Sequence, residues 1–349
     1  MLEQTQNINV DSNIINISVL GAGAWGTALA NAFAHHHNVS LWLRDENLLN
    51  SLNHGYNQKY LPNIKLNNNL KFSLNFDACI NSSDVIIIAT PSKTFADIAS
   101  EISRIIQDKK YTNKYIVWLC KGFINFEDIT YLPHQLIQKV LPNYAKLGVL
   151  TGPSFAQEVA IGLPCALTAA SKSVEWLEFI QHNLHQPNLR IYTNDDVIGC
   201  EIGGALKNVL AVATGIASGL ELGLNAQAAL ITRGVSEMMR LGTCLGANAQ
   251  TLMGLSGLGD LILTATGDLS RNRTVGLHLG KGEDLDSILA NLGHVAEGIN
   301  STKLVYEIAR KHDIYTPIVD AVYDIVFNKN KPKDVLYKLL AREAKPELV

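Results

Sequence analysis

The sequence predicts an α/β chain in which a parallel-sheet domain is followed by an all-α domain, and three observations lead there. Short apolar runs rich in β-branched residues alternate with amphipathic stretches through the first half, the rhythm of strand–helix–strand units. Past about Asp195 the strand signal stops and long helical stretches take over. The length, 349 residues, exceeds what one hydrophobic core usually serves, at roughly 150 residues per domain. The expected division is an extension over residues 1–13, a sheet domain over 14–194 and a helical domain over 195–349.

The expected strands are the runs at 14–20, 39–43, 85–89, 115–120 and 146–150, most of them separated by amphipathic segments such as 94–106. Val85-Ile86-Ile87-Ile88-Ala89 has no polar alternation, as befits a central strand covered by helices on both faces. The stretch 50–75 is polar and Asn-rich and reads as an excursion with at most short strands. In the second half small residues are scattered through helical patterns, as in Gly203-Gly204-Ala205 and Ala226-Gln227-Ala228-Ala229. Each Gly costs a helix about 1 kcal/mol relative to Ala, so their number implies tight helix packing or backbone approach to a ligand.

Composition narrows the functional classes. Apolar residues make up 47% of the chain and charged residues 17%, enough for large cores and against disorder as the main state. With 29 Lys+Arg against 32 Asp+Glu the net charge is −3, which removes the general attraction to phosphate backbones, so no nucleic-acid partner is expected. The best apolar run for a membrane, 209–220, is short and flanked by Lys207 and Glu221; a buried helix and no membrane insertion are expected. The start, Met1 to Ile8, is polar and unlike a secretory signal. Cys79, Cys120, Cys165, Cys200 and Cys244 include no C-x-x-C pair and suit small hydrophobes in a reducing compartment, so a cytoplasmic location is expected. His35-His36-His37 diverge near a helix end with nothing spaced to complete a coordination shell; no metal and no function are assigned to them.

Gly21-Ala22-Gly23-Ala24-Trp25-Gly26 follows the first strand and opens a helical pattern over 27–34. In that context the glycines are expected to serve a dinucleotide, the competing reading being an ordinary tight turn between strand and helix: Gly21 permits the turn, Gly23 close approach of a pyrophosphate, and Gly26 the packing of helix on strand, as in a Rossmann-like domain. After the second strand, where an acidic residue would grip a ribose 2′-hydroxyl, stands Arg44, which suits a 2′-phosphate, so NADP(H) is expected to be accepted or preferred. The competing reading makes Arg44 a solvated charge and gives the grip to Asp45. Arg44, Thr90-Pro91-Ser92, Lys121-Gly122 and Thr151-Gly152-Pro153-Ser154 all fall at strand ends and outline one rim, with Lys121 placed closest to ligand or else snorkelling from a strand end.

Chemistry is expected from the second half. Lys207, in Gly203-Gly204-Ala205-Leu206-Lys207-Asn208, sits within an apolar helix, either desolvated with a lowered pKa or pointing to solvent. Asp260, in Gly257-Leu258-Gly259-Asp260-Leu261, needs a partner if buried, a lysine being the economical one, or else caps a helix. Ser270-Arg271-Asn272-Arg273 is either an anion clamp or a solvated basic turn, and Arg271 and Arg273, two apart on a helix, are not expected to reach one ligand together.

In their order along the chain these motifs resemble the bacterial NAD(P)-dependent sn-glycerol-3-phosphate dehydrogenases, with Gly152-Pro153-Ser154-Phe155-Ala156, Asn225-Ala226, Leu230-Ile231-Thr232-Arg233-Gly234 and Val295-Ala296-Glu297-Gly298 completing the set. The resemblance implies reduction of dihydroxyacetone phosphate to sn-glycerol 3-phosphate, using NADPH or NADH, for glycerophospholipid synthesis, in a homodimer. It implies Lys207 as general acid/base and Lys121, Gly152, Ser154, Lys207, Asp260, Ser270, Arg271 and Asn272 as substrate contacts. As cofactor contacts beside the glycine loop it implies Ala24, Trp25, Arg44, Lys121, Ala156, Arg271, Val295 and Glu297. Enzymes of the same two-domain plan acting on β-hydroxyacids or 6-phosphogluconate also place Asn after a helical Lys, so the substrate rests on the whole set of motifs.

Overall fold

The computed structural model describes residues 14–292 and 297–341; the extension 1–13 and Val295 lie outside them. The strands are β1 (Asn16–Leu20), β2 (Asn38–Trp42), β3 (Tyr56–Asn57), β4 (Leu61–Lys65), β5 (Lys71–Ser73), β6 (Val85–Ile88), β7 (Tyr115–Trp118), β8 (Ile124–Phe126), β9 (Ile129–Tyr131), β10 (Leu147–Thr151), β11 (Cys165–Ala170) and β12 (Leu189–Asn194). Eight form one sheet in the order β12-β11-β10-β7-β6-β1-β2-β5, parallel except where β11 runs antiparallel to β10; β3-β4 and β8-β9 are separate hairpins. The five runs expected from sequence form the middle of this sheet. Three further strands complete this sheet: β5 is one of the short strands allowed in the stretch 50–75, β11 is an Ala-rich CALTAA segment, and β12 is a half-exposed edge whose alternation of Leu189 and Ile191 with Arg190 and Tyr192 is the available signal; β11, β12 and the hairpin β8-β9 are not among the expected runs.

Helices α1 (Ala24–Phe33), α2 (Glu46–Asn53), α3 (Phe76–Ser82), α4 (Ser92–Lys109), α5 (Pro133–Val140), α6 (Ala156–Ala160) and α7 (Val174–Leu184) cover the sheet. Alternation along β6 divides the core: Val85 and Ile87 face the layer of α1, α2 and α7, whereas Ile86 and Ile88 face that of α3, α4 and α5. The Asn-rich excursion has a structural task. Asn57, fully buried, donates to the Ala22 carbonyl at 3.0 Å and the Thr27 hydroxyl at 2.8 Å, and Asn67 N–H donates to Asn31 Oδ1 at 2.7 Å, so the segment braces the glycine loop and α1. Of the histidine triplet, His37 is buried against the Asn183 carbonyl at 2.7 Å.

The second half is helical: α8 (Val197–Gly219), α9 (Gly223–Cys244), α10 (Ala249–Leu252), a π-helical turn (Leu255–Gly259), α11 (Asp260–Thr266), α12 (Arg271–Gly280), α13 (Leu285–Leu292), α14 (Glu297–Lys311), α15 (Pro317–Val326) and α16 (Pro332–Leu340). The apolar run 209–220 is too short for a membrane, but the whole of α8, with 23 residues, passes that test of length and apolarity. It is enclosed by protein instead: α9, α11, α12, α14 and α15 pack around it, and it buries Glu201 and Lys207. The scattered glycines explain how the helices come so close. Any Cβ at Gly215 of α8 would overlap the Arg273 carbonyl, and one at Gly276 of α12 the Val212 carbonyl, while Gly219 and Gly280 repeat the contact one turn on. Cys79, Cys120 and Cys200 are buried; Cys165 is half-buried and Cys244 exposed, so the expectation of small core residues holds for only three of the five.

Gly276→Ala forces apart two helix backbones that have no flexible atom to yield. Overpacking of this kind costs about 1–3 kcal/mol, and urea unfolding is expected to show that loss, whereas Gly282→Ala at an open surface position with positive φ should cost less than about 2 kcal/mol.

Candidate active site

The strand ends of the sheet and the inner face of α8 meet in one cluster of charge. Lys121 follows β7 by three residues, and Gly122 beside it has φ +120°, a backbone conformation that glycine tolerates. Its stem lies on α8 where Gly204 has no side chain, with the missing Cβ position 3.4 Å from Lys121 Cβ. From there Lys121 Nζ donates to the Gly152 carbonyl at 3.1 Å and to Asp260 Oδ2 at 2.9 Å. Lys207, on α8, donates to Asp260 Oδ1 at 2.6 Å and to Thr264 Oγ1 at 3.1 Å. Asp260 is 1% exposed and Lys207 8%, so the solvent-facing alternative for Lys207 and the simple cap for Asp260 are not what the fold adopts.

Asp260 is placed by the π-helical turn before it. That wide turn packs on α8 at Gly203, where a Cβ would come within 2.5 Å of the Ser256 carbonyl, and π-turns of this kind concentrate at functional sites. Thr264, one helical turn after Asp260, lies on the same face and donates to the Asp260 carbonyl at 2.6 Å. Neither Thr264 nor Asn208 was singled out from sequence. Spacing could have found Thr264, four residues after Asp260. Asn208 accepts from Asn272 Nδ2 at 2.9 Å and keeps its own amide nitrogen buried without a partner among the described residues.

Electrostatics follow from this geometry. Burial pushes the Lys207 ammonium down to about 8, with Asp260 opposing the fall and Lys121 adding to it. Burial works to raise the Asp260 carboxyl, but the Lys121 and Lys207 ammoniums outweigh it and hold it below the usual range. Lys207 has three N–H donors and two are used, which leaves one without a partner among the described residues. Glu297, half-buried at the start of α14, has its carboxyl pushed up by burial against the opposing fields of Arg271, Lys207 and Lys121.

The remaining residues singled out from sequence fall around this centre in different ways. Ser154 Oγ donates to the Gly152 carbonyl at 3.1 Å, and Ser270 Oγ caps α12 by accepting from Arg273 N–H at 3.3 Å. Asn272 accepts from Gly298 N–H at 2.9 Å, joining α12 to α14. Arg273 is tied to Asp268 at 2.9 Å while Arg271, at the first position of α12, is exposed, in keeping with the divergence expected of residues two apart. Ala156 opens α6, which packs on α1.

At the end of β1 the glycine loop is shaped for a dinucleotide. Gly21 has φ +123° and Gly26 allows no Cβ against the Gly21 carbonyl, whereas a Cβ on Gly23 would meet nothing within 4 Å, so the loop backbone has an open face at that point. The first turn of α1, with Ala24 and the half-buried Trp25, carries no side-chain cap, and its N–H groups are available to an anion. Arg44 is exposed over the Trp42 ring, 5.4 Å from its centroid. Asp45 is occupied elsewhere: it caps α2 through Asn47 and Leu48 N–H and pairs with Lys59 at 3.1 Å.

Both halves of the chain match models of one family. The model of the NAD-dependent glycerol-3-phosphate dehydrogenase N-terminus matches residues 16–177, and that of the C-terminus residues 196–337. The chain belongs to the NAD-dependent glycerol-3-phosphate dehydrogenase family. It is thereby an NAD(P)-dependent oxidoreductase with a Rossmann-like sheet domain and a helical C-terminal domain. Among relatives of this family, the glycerol-3-phosphate dehydrogenase, NAD(P)+, of Janthinobacterium sp. (strain Marseille) is 48% identical over 338 residues, covering 96% of this chain and 100% of the relative. That of Herminiimonas arsenicoxydans is 47% identical with the same coverage. The crystal structure of glycerol-3-phosphate dehydrogenase from Coxiella burnetii is similar with a TM-score of 0.88 and 38% identity, covering 94% of this chain and 99% of that one.

Asp260→Asn leaves the buried Lys207 ammonium and the half-buried Lys121 ammonium without their counter-ion. Breaking a buried pair in this way costs about 3–5 kcal/mol, which chemical denaturation is expected to register. With the attracting charge gone, the Lys207 ammonium should fall below about 8, read by NMR of reductively 13C-methylated lysines.

Proposed function

We propose that this chain reduces dihydroxyacetone phosphate to sn-glycerol 3-phosphate with NADPH or NADH. The observation that carries the reading is the buried Lys207 ammonium, fixed by Asp260 and Thr264 with a donor to spare and held at about 8, its Asp260 partner shared with Lys121 at the strand ends of the sheet. Family membership and the relatives' names support the substrate. The reading divides the chain at about residue 195 into a dinucleotide-binding domain, 14–194, and a helical substrate-binding and catalytic domain, 195–349, each lending contacts to the other's ligand.

Gly21, Gly23, Ala24, Trp25 and Gly26 would hold the pyrophosphate and Arg44 a 2′-phosphate, with Lys121, Ala156, Arg271, Val295 and Glu297 as further contacts. The engagement of Asp45 with Lys59 and the α2 N-terminus supports Arg44 in that role. When bound, the nicotinamide supplies the hydride. Lys207 hydrogen-bonds the substrate carbonyl oxygen through its free N–H and delivers a proton as charge develops there, combining acid catalysis with electrostatic stabilisation. Asp260 orients that ammonium and keeps it charged near neutrality. Lys121, Gly152, Ser154, Ser270, Arg271 and Asn272 position the rest of the substrate, so that binding energy at the phosphate fixes the reacting carbon. Cytoplasmic location, a homodimer and supply of the glycerophospholipid backbone complete the proposal. The buried setting of α8 supports the absence of membrane insertion.

Lys207→Ala is expected to lower turnover of dihydroxyacetone phosphate by at least about 100-fold while NADPH binding, followed by fluorescence titration, is retained. Unchanged turnover, or none on the triose phosphate with the intact protein, would overturn the reading. Because the ammonium is the acid in reduction, kcat/KM for that direction should be highest below pH 8 and fall as pH rises through about 8, with the opposite limb for oxidation. For Arg44→Ala, KM for NADPH should rise by about 10-fold or more and that for NADH by less than about 2-fold, since a charge-assisted pair is lost only with the phosphorylated cofactor.

A further inference from the structure

Glu201 is a buried carboxylate that none of the roles above uses. It is 1% exposed, on α8, two turns before the lysine cluster. Its Oε1 accepts from Trp118 Nε1 at 2.8 Å and from His134 N–H at 2.9 Å, and its Oε2 pairs with His134 Nδ1 at 2.5 Å. Trp118 is the last residue of β7 and His134 the second of α5. Between them runs the excursion 119–133, which carries Lys121, Gly122 and the β8-β9 hairpin. One carboxylate therefore holds both ends of the segment that bears Lys121.

The attachment continues along the helix in three-residue steps. Glu201 holds the two ends, Gly204 receives the Lys121 stem, and Lys207 meets the Lys121 ammonium across Asp260. Residues at that spacing are neighbours on a helix surface, so a shift of the segment 118–122 at its Glu201 anchor displaces the Lys121 head relative to Lys207.

We propose that Glu201 is a positioning residue that fixes Lys121 against Asp260 and Lys207 by fastening both ends of the excursion 119–133 to α8. The proposal rests on the assignment of Lys121 to the site. With Glu201→Gln the amide oxygen still accepts, but Oε2 becomes an NH2 group and the contact with His134 Nδ1 no longer has its charge; the side chain keeps its size.

The experiment is a double-mutant cycle on the full-length protein, with dihydroxyacetone phosphate and NADPH, reading kcat and KM separately after circular dichroism has shown each variant folded. Glu201→Gln is expected to lower kcat by about tenfold in the otherwise intact chain, since misplacement of a positioned group by a fraction of an ångström is costly. In a Lys121→Ala background the same substitution should change kcat by less than about twofold. An equal factor in both backgrounds, or unchanged kcat in the intact chain, would overturn the proposal, because a purely structural role lowers both alike. Should Glu201→Gln fail to fold, Trp118→Phe, which removes one of the two end attachments, takes its place in the cycle with the same expectations. Full turnover by Lys121→Ala alone would instead refute the assignment of Lys121, and this inference with it; an impaired Lys121→Ala without coupling refutes this inference only.

Discussion

A single carboxylate shared by two ammoniums joins the two halves of this protein. Asp260, 1% exposed, lies 2.6 Å from Lys207 and 2.9 Å from Lys121, and the three side chains come from α11, α8 and the segment that follows β7. Desolvating charges is expensive, so the arrangement persists only while every oxygen and most of the N–H donors are engaged. Thr264 and the Gly152 carbonyl complete that engagement. Lys121, Lys207 and Arg271 stand against Asp260 and Glu297, which leaves a local excess of positive charge in a chain whose overall charge is −3.

Much of the rest of the structure serves to hold those three groups in register. α8 carries Glu201, Lys207 and Asn208 through the middle of the helical half, and its glycines set how close each neighbour comes: Gly203 admits the π-turn that presents Asp260, Gly204 the Lys121 stem, Gly215 and Gly219 the backbone of α12. A helix with so few side chains is poor on propensity alone and depends on the packing around it. In keeping with that dependence, a helix apolar and long enough for a membrane is a buried core element here, with two ionisable side chains that have protein partners.

The sheet and its central strands were legible because a strand buried on both faces has to be continuously apolar, as Val85 to Ile88 are. The edge was less so: half of β11 is Ala, which favours helix, with Thr168 favouring strand and Leu167 as its one large apolar residue, so local preferences conflict; its antiparallel pairing with β10 is a matter of connection and not of composition. Asn57 shows another limit. An asparagine in a polar stretch looks like loop material, and only the fold places its amide between the Ala22 carbonyl and the Thr27 hydroxyl beneath the glycine loop.

By itself the sequence determined the alternation of strands and helices, the glycine loop with its helix, the change of architecture near Asp195, and the residue types from which a phosphate-handling oxidoreductase site could be made. Local chemistry sufficed for these, because periodicity and turn residues act within a few positions of the chain. The tertiary structure alone decided which of two readings each candidate takes: Lys207 inward, Asp260 paired, Asp45 spent on a helix cap and Lys59, and Arg273 tied to Asp268 while Arg271 stays exposed. The partners in the first two cases lie 53 and 139 residues apart in the chain, and burial, which sets both the ion pair and the ammonium at about 8, exists only once the helices have closed on α8.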